Sequence, residues 1–201
     1  MKNKSLKIAV TGGIGSGKST FCNYLSSKGF PLLKADDISK EILENDGDVK
    51  KKIINAFGEE SFKEGKPNKE YLAEKVFSNP ENVIKINSIL HPKVIKKTEE
   101  LLNELSKNNK LIFVEAALIY EADMEDLFDY VVLVIADEKV RMERKTQFDN
   151  FSKKTFIERN ENQIPDEEKK KRADFIFENN SGIDELKTKA DLLLIILNGF
   201  I

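Results

Sequence analysis

The sequence predicts an α/β protein in which a five-stranded parallel sheet is wrapped by helices, with one helical insertion and a helical lid. Three observations carry this. Short apolar runs recur along the 201 residues, each separated from the next by a helical pattern, which is the signature of a parallel sheet with crossover helices. The first run leads straight into a glycine-rich loop and then a helix. The interval 38–110 is too long for one crossover and reads as almost wholly helical.

The elements follow in order. Leu6-Lys7-Ile8-Ala9-Val10-Thr11 is a short buried strand. After the glycines, 19–28 carries Phe21 and Leu25 at helical spacing and predicts a helix. The later strands fall at 30–34, 111–114, 130–135 and 175–177. Between the second and third lie helical stretches at 49–57, 69–77, 80–90 and 92–105, with a turn region at 58–67. A polar helical stretch covers 141–172, and a strongly apolar helix, 183–197, closes the sheet. These assignments give a core of 1–37, 108–140 and 173–201, a helical substrate insertion at 38–107 and a lid at 141–172.

The loop carries the chemistry. Gly12-Gly13-Ile14-Gly15-Ser16-Gly17-Lys18-Ser19 has the spacing G-x4-G-K-S between strand and helix, the pattern of a phosphate-binding P-loop. Glycines let the backbone turn tightly, so that successive N–H groups point inward at phosphate oxygens. The helix that begins at the loop's end adds its positive pole. Gly13, Ile14, Gly15, Ser16, Gly17, Lys18, Ser19 and Thr20 are therefore the nucleotide-binding candidates. Lys18 is the cation for the β- and γ-phosphates, and the Ser19 hydroxyl is a natural Mg²⁺ ligand.

Composition excludes several classes. Thirty-three basic against 35 acidic residues give a net charge of −2, which argues against a nucleic-acid surface. The single Cys22 excludes an internal disulfide and reads as a packed thiol. One histidine, His91, makes a histidine-built zinc site improbable. The apolar run before the glycines is too short for a signal peptide, and no segment approaches the ~20 apolar residues of a membrane span. A cytoplasmic protein without membrane attachment is expected.

Three absences narrow the choice among P-loop proteins. No Asn/Thr-Lys-x-Asp guanine-reading motif follows a later strand, no D-x-x-G follows the third strand, and there is no room for a second ATPase half. A small-molecule kinase remains. Asp36 falls at the carboxyl end of the second strand, where open α/β sheets bind ligands. A carboxylate there can orient or deprotonate an attacking hydroxyl, or it can cap the following helix. Asp37 reads as the cap or as a solvent-facing residue.

Several separated blocks now resemble the dephospho-coenzyme A kinase family. The opening runs from Thr11 to Thr20, and Ala35-Asp36 stands where that family has Asp-Ala-Asp. Gly65 to Leu72 resembles Gly-x-Leu-Asp-Arg-x-x-Leu, with Val76-Phe77 continuing it. His91-Pro92 matches a His-Pro pair, and Ala117-Leu118-Ile119-Tyr120-Glu121 resembles Pro-Leu-Leu-Phe-Glu. Gln163, Ala173-Asp174, Asn179-Asn180 and Gly182 match the C-terminal pattern. The chain departs from the pattern at Lys34, Asn68-Lys69, Ala73 and Ala117. The two lid arginines fall at Arg144 and Phe148, so the second is missing, and Arg141 or Lys145 is its possible substitute. The arginine after Gln163 appears as Lys169, which keeps the charge and loses the bidentate fork.

The resemblance implies a P-loop kinase fold and transfer of the ATP γ-phosphoryl group to the ribose 3′-hydroxyl of dephospho-coenzyme A, the last step of coenzyme A biosynthesis. It implies ATP and Mg²⁺ as cofactors, Lys18, Asp36 and Arg144 as catalytic residues, and Asp36, His91, Glu115, Tyr120 and Glu121 as substrate contacts. A monomer is expected. His91 reads either as an acceptor contact or as a turn histidine between two helices. Glu115 ends the third strand and suits Mg²⁺ through water or the acceptor ribose. The run Lys169-Lys170-Lys171-Arg172 follows Asp166-Glu167-Glu168 and reads as a solvated, charge-paired helix face. The alternatives are another nucleoside or nucleotide kinase, and a degenerate ATP-binding regulator.

Overall fold

The computed structural model describes residues 5–77, 79–149 and 151–201. Two compact units are present, one of 1–34 with 100–201 and one of 35–99.

The first unit holds a five-stranded sheet, β1 (Leu6–Thr11), β2 (Leu32–Lys34), β5 (Leu111–Glu115), β6 (Tyr130–Ile135) and β7 (Phe175–Glu178). Their order across the sheet is β2-β5-β1-β6-β7, and every pairing is parallel. Side chains alternate across it, as a two-residue repeat requires. Ile8, Val10, Phe113 and Val134 pack against Phe21 and Leu25 of α1 (Lys18–Ser27) and Leu186, Leu193 and Leu197 of α9 (Ile183–Asn198). Ile112 and Val114 face the other way, onto Leu102, Leu33 and Phe128. Phe21 stacks on Phe177 with ring centroids 5.6 Å apart. The central strands are buried on both faces, which explains their unbroken apolar runs.

The register sets the ends of these strands side by side. Val10 pairs with Glu115, Thr11 with Leu133, and Lys34 with Glu115. The carboxyl ends of β1, β2 and β5 therefore share one edge, and the glycine-rich loop leaves β1 there. Helices α6 (Glu138–Phe148), α7 (Lys153–Glu161) and α8 (Asp166–Lys170) fill the stretch between β6 and β7.

The second unit is helical, with α2 (Ala35–Asn45), α3 (Gly47–Phe57), a two-stranded hairpin of β3 (Phe62–Lys63) and β4 (Lys66–Pro67), and α4 (Lys69–Phe77). Its core is Val49, Ile53, Phe57, Leu72, Val76 and Leu90. Asp46 caps α3, accepting from the backbone N–H groups of Asp48 and Val49 at 2.9 and 3.0 Å. Lys93 donates to its other oxygen at 2.9 Å.

Two sequence expectations are corrected here. The stretches 80–90 and 92–105 form one helix, α5 (Pro80–Leu105), with Pro92 inside it. His91 is therefore a helical residue, not a turn residue. Proline gives up one backbone hydrogen bond in this position, but Leu90 and Val94, four residues apart, are both buried and hold the helix together through the lost bond. Helix α2 begins at Ala35, directly after β2, so Asp36 and Asp37 lie in its first turn. Neither is its cap; both place negative charge at the positive helix pole. Among the described residues, no helix is long and apolar enough to cross a membrane.

Candidate active site

The phosphate loop takes its shape from residues far away in sequence. Gly17, with φ 99° and ψ 10°, is a left-handed residue that starts α1. A Cβ on Gly17 would sit 2.2 Å from Asn179 Nδ2, and that amide donates to the Ser16 carbonyl at 2.8 Å. Gly15 is left-handed too (φ 79°), and a Cβ there would meet the Arg141 carbonyl oxygen at 2.6 Å. Only glycine fits either position. The loop closes on itself through the Ser16 N–H, which donates to the Gly13 carbonyl at 3.1 Å.

Ile14 is gripped from both sides. Its N–H donates to Gln163 Oε1 at 3.0 Å, and its carbonyl accepts from Arg141 Nη1 at 3.3 Å. Arg141 is buried and is committed further, donating to the Ala136 carbonyl at 3.1 Å and to Asn160 Oδ1 at 2.7 Å. Asp166 lies 3.9 Å from the same guanidinium. A cation that the sequence offered as a lid residue is thus a brace beneath the loop.

A pocket of about 480 Å³ opens over the loop. Its wall includes Gly15, Gly17, Lys18, Ser19 and Thr20, then Arg144, Lys145 and Phe148 of α6, and Asn179, Gly182 and Ile183 before and within α9. Of the nucleotide-binding candidates, five therefore line the pocket. Gly13, Ile14 and Ser16 form the buried back of the loop. Arg144 reaches the wall with its Nη2 donating to the Asn179 carbonyl at 2.8 Å, while its Nη1 is buried with no hydrogen-bond partner among the described residues. Burial lowers the pKa of this guanidinium from its ordinary value.

Glu115 ends β5 and is buried; it accepts a hydrogen bond from the Ser19 hydroxyl. Its other oxygen, Oε2, is buried with no partner among the described residues. An uncompensated buried carboxylate oxygen is costly, and a hard hydroxyl and carboxylate pair suits a hard cation. No group of three His, Cys, Asp or Glu side chains able to hold a metal occurs among the described residues. Mg²⁺ fits such a site, because it takes most of its ligands from phosphate and water.

Tyr120 and Glu121 lie in the loop after β5 and are largely interior. Tyr120 is 2% exposed, with the Arg172 guanidinium 4.5 Å from its ring centroid. Burial pushes its hydroxyl pKa up to about 12. Glu121 Oε1 accepts from the Ile164 N–H at 2.8 Å and lies 3.1 Å from Lys169 Nζ. Lys169 is fully buried, which corrects the reading of 169–172 as one solvated face. Lys170 and Lys171 do pair with Glu167 and Glu168 on the surface, whereas Arg172 pairs with Glu125. Asp36 is exposed, two residues beyond the end of β2, and His91 is half-buried within α5.

Gln163 and Asn179 are residues whose contacts the sequence did not assign. Both appear there only within the family pattern. Nothing in the local sequence ties either to a loop about 150 residues away.

Comparison with known proteins agrees along most of the chain. A sequence profile of the family described as dephospho-CoA kinase matches residues 6–185. The dephospho-CoA kinase of Fusobacterium nucleatum is 37% identical over 185 residues, covering 92% of this chain and 94% of that protein. Among solved structures, the dephospho-CoA kinase from Campylobacter jejuni has a TM-score of 0.65 at 31% identity, covering 96% and 97% of the two chains. TT1252 from Thermus thermophilus has a TM-score of 0.81 at 31% identity, covering 96% and 98%. With the phosphate loop in place at the sheet edge and these matches spanning nearly its full length, the chain belongs to the dephospho-CoA kinase family.

Proposed function

We propose that this kinase transfers the γ-phosphoryl group of ATP to the ribose 3′-hydroxyl of dephospho-coenzyme A, giving coenzyme A and ADP. The observation that carries the reading is the pocket over the phosphate loop, whose wall combines loop amides, Lys18, Ser19 and Arg144. In the reaction the acceptor oxygen attacks the γ-phosphorus, and the bond from that phosphorus to the β,γ-bridging oxygen breaks. The bridging oxygen leaves with ADP. The loop amides and Lys18 hold the β- and γ-phosphates, and Arg144 adds charge from α6 as negative charge spreads in transfer. Ser19, with Glu115 acting through water, would hold Mg²⁺, which neutralises phosphate charge when bound. Asp36 takes or orients the acceptor's hydroxyl proton.

His91 and the 35–99 unit are proposed to receive the acceptor, with 141–172 serving as the lid over the triphosphate. Tyr120 and Glu121 support the acceptor side from within the loop after β5. Exclusion of water by the lid keeps the phosphoryl group from simple hydrolysis.

The test is release of ADP from Mg-ATP with dephospho-coenzyme A, beside AMP, CMP, GMP, UMP and adenosine, with coenzyme A identified as product. Turnover with dephospho-coenzyme A alone is the expected result. Asp36→Asn should lower turnover by about 10²-fold or more at little cost in ATP affinity, the scale of a lost general base. Release with a nucleotide acceptor instead overturns the acceptor assignment, and full activity in the variant removes Asp36 from its role.

A further inference from the structure

Helix α6 presents one continuous face to the phosphate loop and the pocket. Arg141, Arg144, Lys145 and Phe148 stand at i, i+3, i+4 and i+7, the spacing of a single helical stripe. Arg141 is anchored at the loop, on Ile14. Arg144 is anchored one turn on, at Asn179. Phe148 ends the stripe about 10 Å along the axis from Arg141, at 1.5 Å per residue. The face thus runs from the phosphate end of the pocket outward.

At its outer end the pocket changes character. Phe148 is 78% exposed, the most exposed large apolar side chain among the described residues, and Ile183 is 60% exposed. Both line the same pocket as Lys18 and Ser19. Between Asn179 and Ile183 the wall is Gly182, where a Cβ would meet nothing within 4 Å. Two bare apolar side chains and an open glycine edge therefore stand beyond a row of cations and amides. Such surface is left uncovered at a cost unless a ligand covers it. A nucleoside triphosphate seated by its phosphates on the loop brings one group of matching chemistry to that end, its flat aromatic base.

We infer that Phe148 and Ile183 form an apolar clamp on the base of the bound nucleotide, with Phe148 as the stacking surface. The inference rests on the triphosphate seat proposed above and adds the residue that holds the base. At position 148 this chain carries an aromatic ring and no charge, so its contribution is to base affinity and not to phosphate stabilisation. Stacking accepts any purine face. Phe148 therefore favours purine over pyrimidine triphosphates and discriminates little between adenine and guanine.

Direct binding separates the two ends of the pocket. Affinities for ATP, CTP and inorganic tripolyphosphate are measured by calorimetry on the full chain, its Phe148→Ala and Phe148→Trp variants, and Ile183→Ala. Loss of a stacked ring should weaken ATP by about 5- to 150-fold, the range seen when base-stacking aromatics are truncated. Tripolyphosphate should bind all four proteins equally, Phe148→Trp should keep ATP, and CTP should bind more weakly than ATP wherever an aromatic ring stands at 148, the difference narrowing in Phe148→Ala. Unchanged ATP affinity in Phe148→Ala overturns the clamp and leaves the seat standing. Equal losses of ATP and tripolyphosphate overturn it too, placing Phe148 in the loop's support. If the unmodified chain binds neither ligand, the seat itself falls and the clamp with it.

Discussion

Removing the charge of Lys169 tests the buried support of the loop after β5. Lys169 is 0% exposed, and its Nζ lies 3.1 Å from Glu121 Oε1, close enough for an ion pair but off the line of a good hydrogen bond. Lys169→Met keeps most of the side-chain volume and leaves the Glu121 carboxylate with only the Ile164 N–H. Breaking a buried pair by removing one partner costs about 3–5 kcal/mol. The imperfect geometry of this pair favours the lower figure. At about 2–4 °C per kcal/mol for a chain of this length, the melting temperature should fall by about 6–12 °C. The double variant Lys169→Met with Glu121→Gln removes the orphaned charge while keeping an acceptor for Ile164. It should recover most of that loss. The assay is thermal unfolding followed by circular dichroism, with urea unfolding as a second measure. A single variant that melts within about 2 °C of the unmodified protein refutes the reasoning, since Lys169 would then be a solvated lysine after all. A double variant as unstable as the single one refutes it too, by removing the charge from the explanation.

Two further outcomes follow from the same geometry. Gly17→Ala forces a Cβ into the left-handed region and onto Asn179 Nδ2, at about 1–2 kcal/mol for the backbone alone. Melting should fall by about 2–8 °C and turnover by up to about 10²-fold as the loop shifts; wild-type values for both would contradict the packing described. Cys22 is fully buried, and burial, reinforced by the nearby Glu115 charge, raises its thiol pKa well above the usual value. A raised pKa keeps the thiol protonated as pH climbs through 8, so the native protein should resist a thiol reagent that labels the urea-unfolded chain completely. Stoichiometric labelling of native protein at pH 8 would put Cys22 at the surface.

What the sequence discloses depends on how local the cause is. The loop 12–19 is legible because strand, glycines and helix are contiguous and each obeys a short-range rule. The central strands β1, β5 and β6 are legible because both faces of the sheet are covered there, which turns them into nearly unbroken apolar runs. The break expected at His91-Pro92 follows from proline's missing donor, yet one lost hydrogen bond is outweighed by the burial of Leu90 and Val94 along one helix face. Lys169 is illegible for a related reason. A run of four cations after three acids satisfies the pattern of a wet helix, and only Glu121, 48 residues away, reveals that one of them points inward. Asn179 and Gln163 fold the loop through contacts at separations of 163 and 149 residues, beyond the reach of any periodicity.

The sequence singles out Arg144 and leaves Arg141 and Lys145 as alternatives for the second lid cation, and the fold sorts the three along α6 from the phosphate loop outward. Arg141 is nearest, and its guanidinium is already committed to Ile14, Ala136 and Asn160. Such a residue cannot swing out to a phosphate without releasing the loop that binds it, so Arg141 does not replace the arginine absent at 148. Arg144 stands one turn on, tethered by one nitrogen to Asn179 with another lacking a hydrogen-bond partner among the described residues, which suits a fork held in position. Lys145 is the remaining cation of α6 on the pocket wall, paired with Asp149 at 2.8 Å on its own helix. That pair is partly exposed, and the Lys145 ammonium also lies 5.4 Å from the Phe151 ring centroid, so a phosphate that draws Lys145 away replaces two modest contacts. A lysine so placed supplies a mobile point charge where an arginine would supply a rigid fork. On the proposed reading of 141–172 as the lid, the second charge falls to Lys145, about one turn closer to the loop than the family pattern puts it, and position 148 carries an aromatic ring.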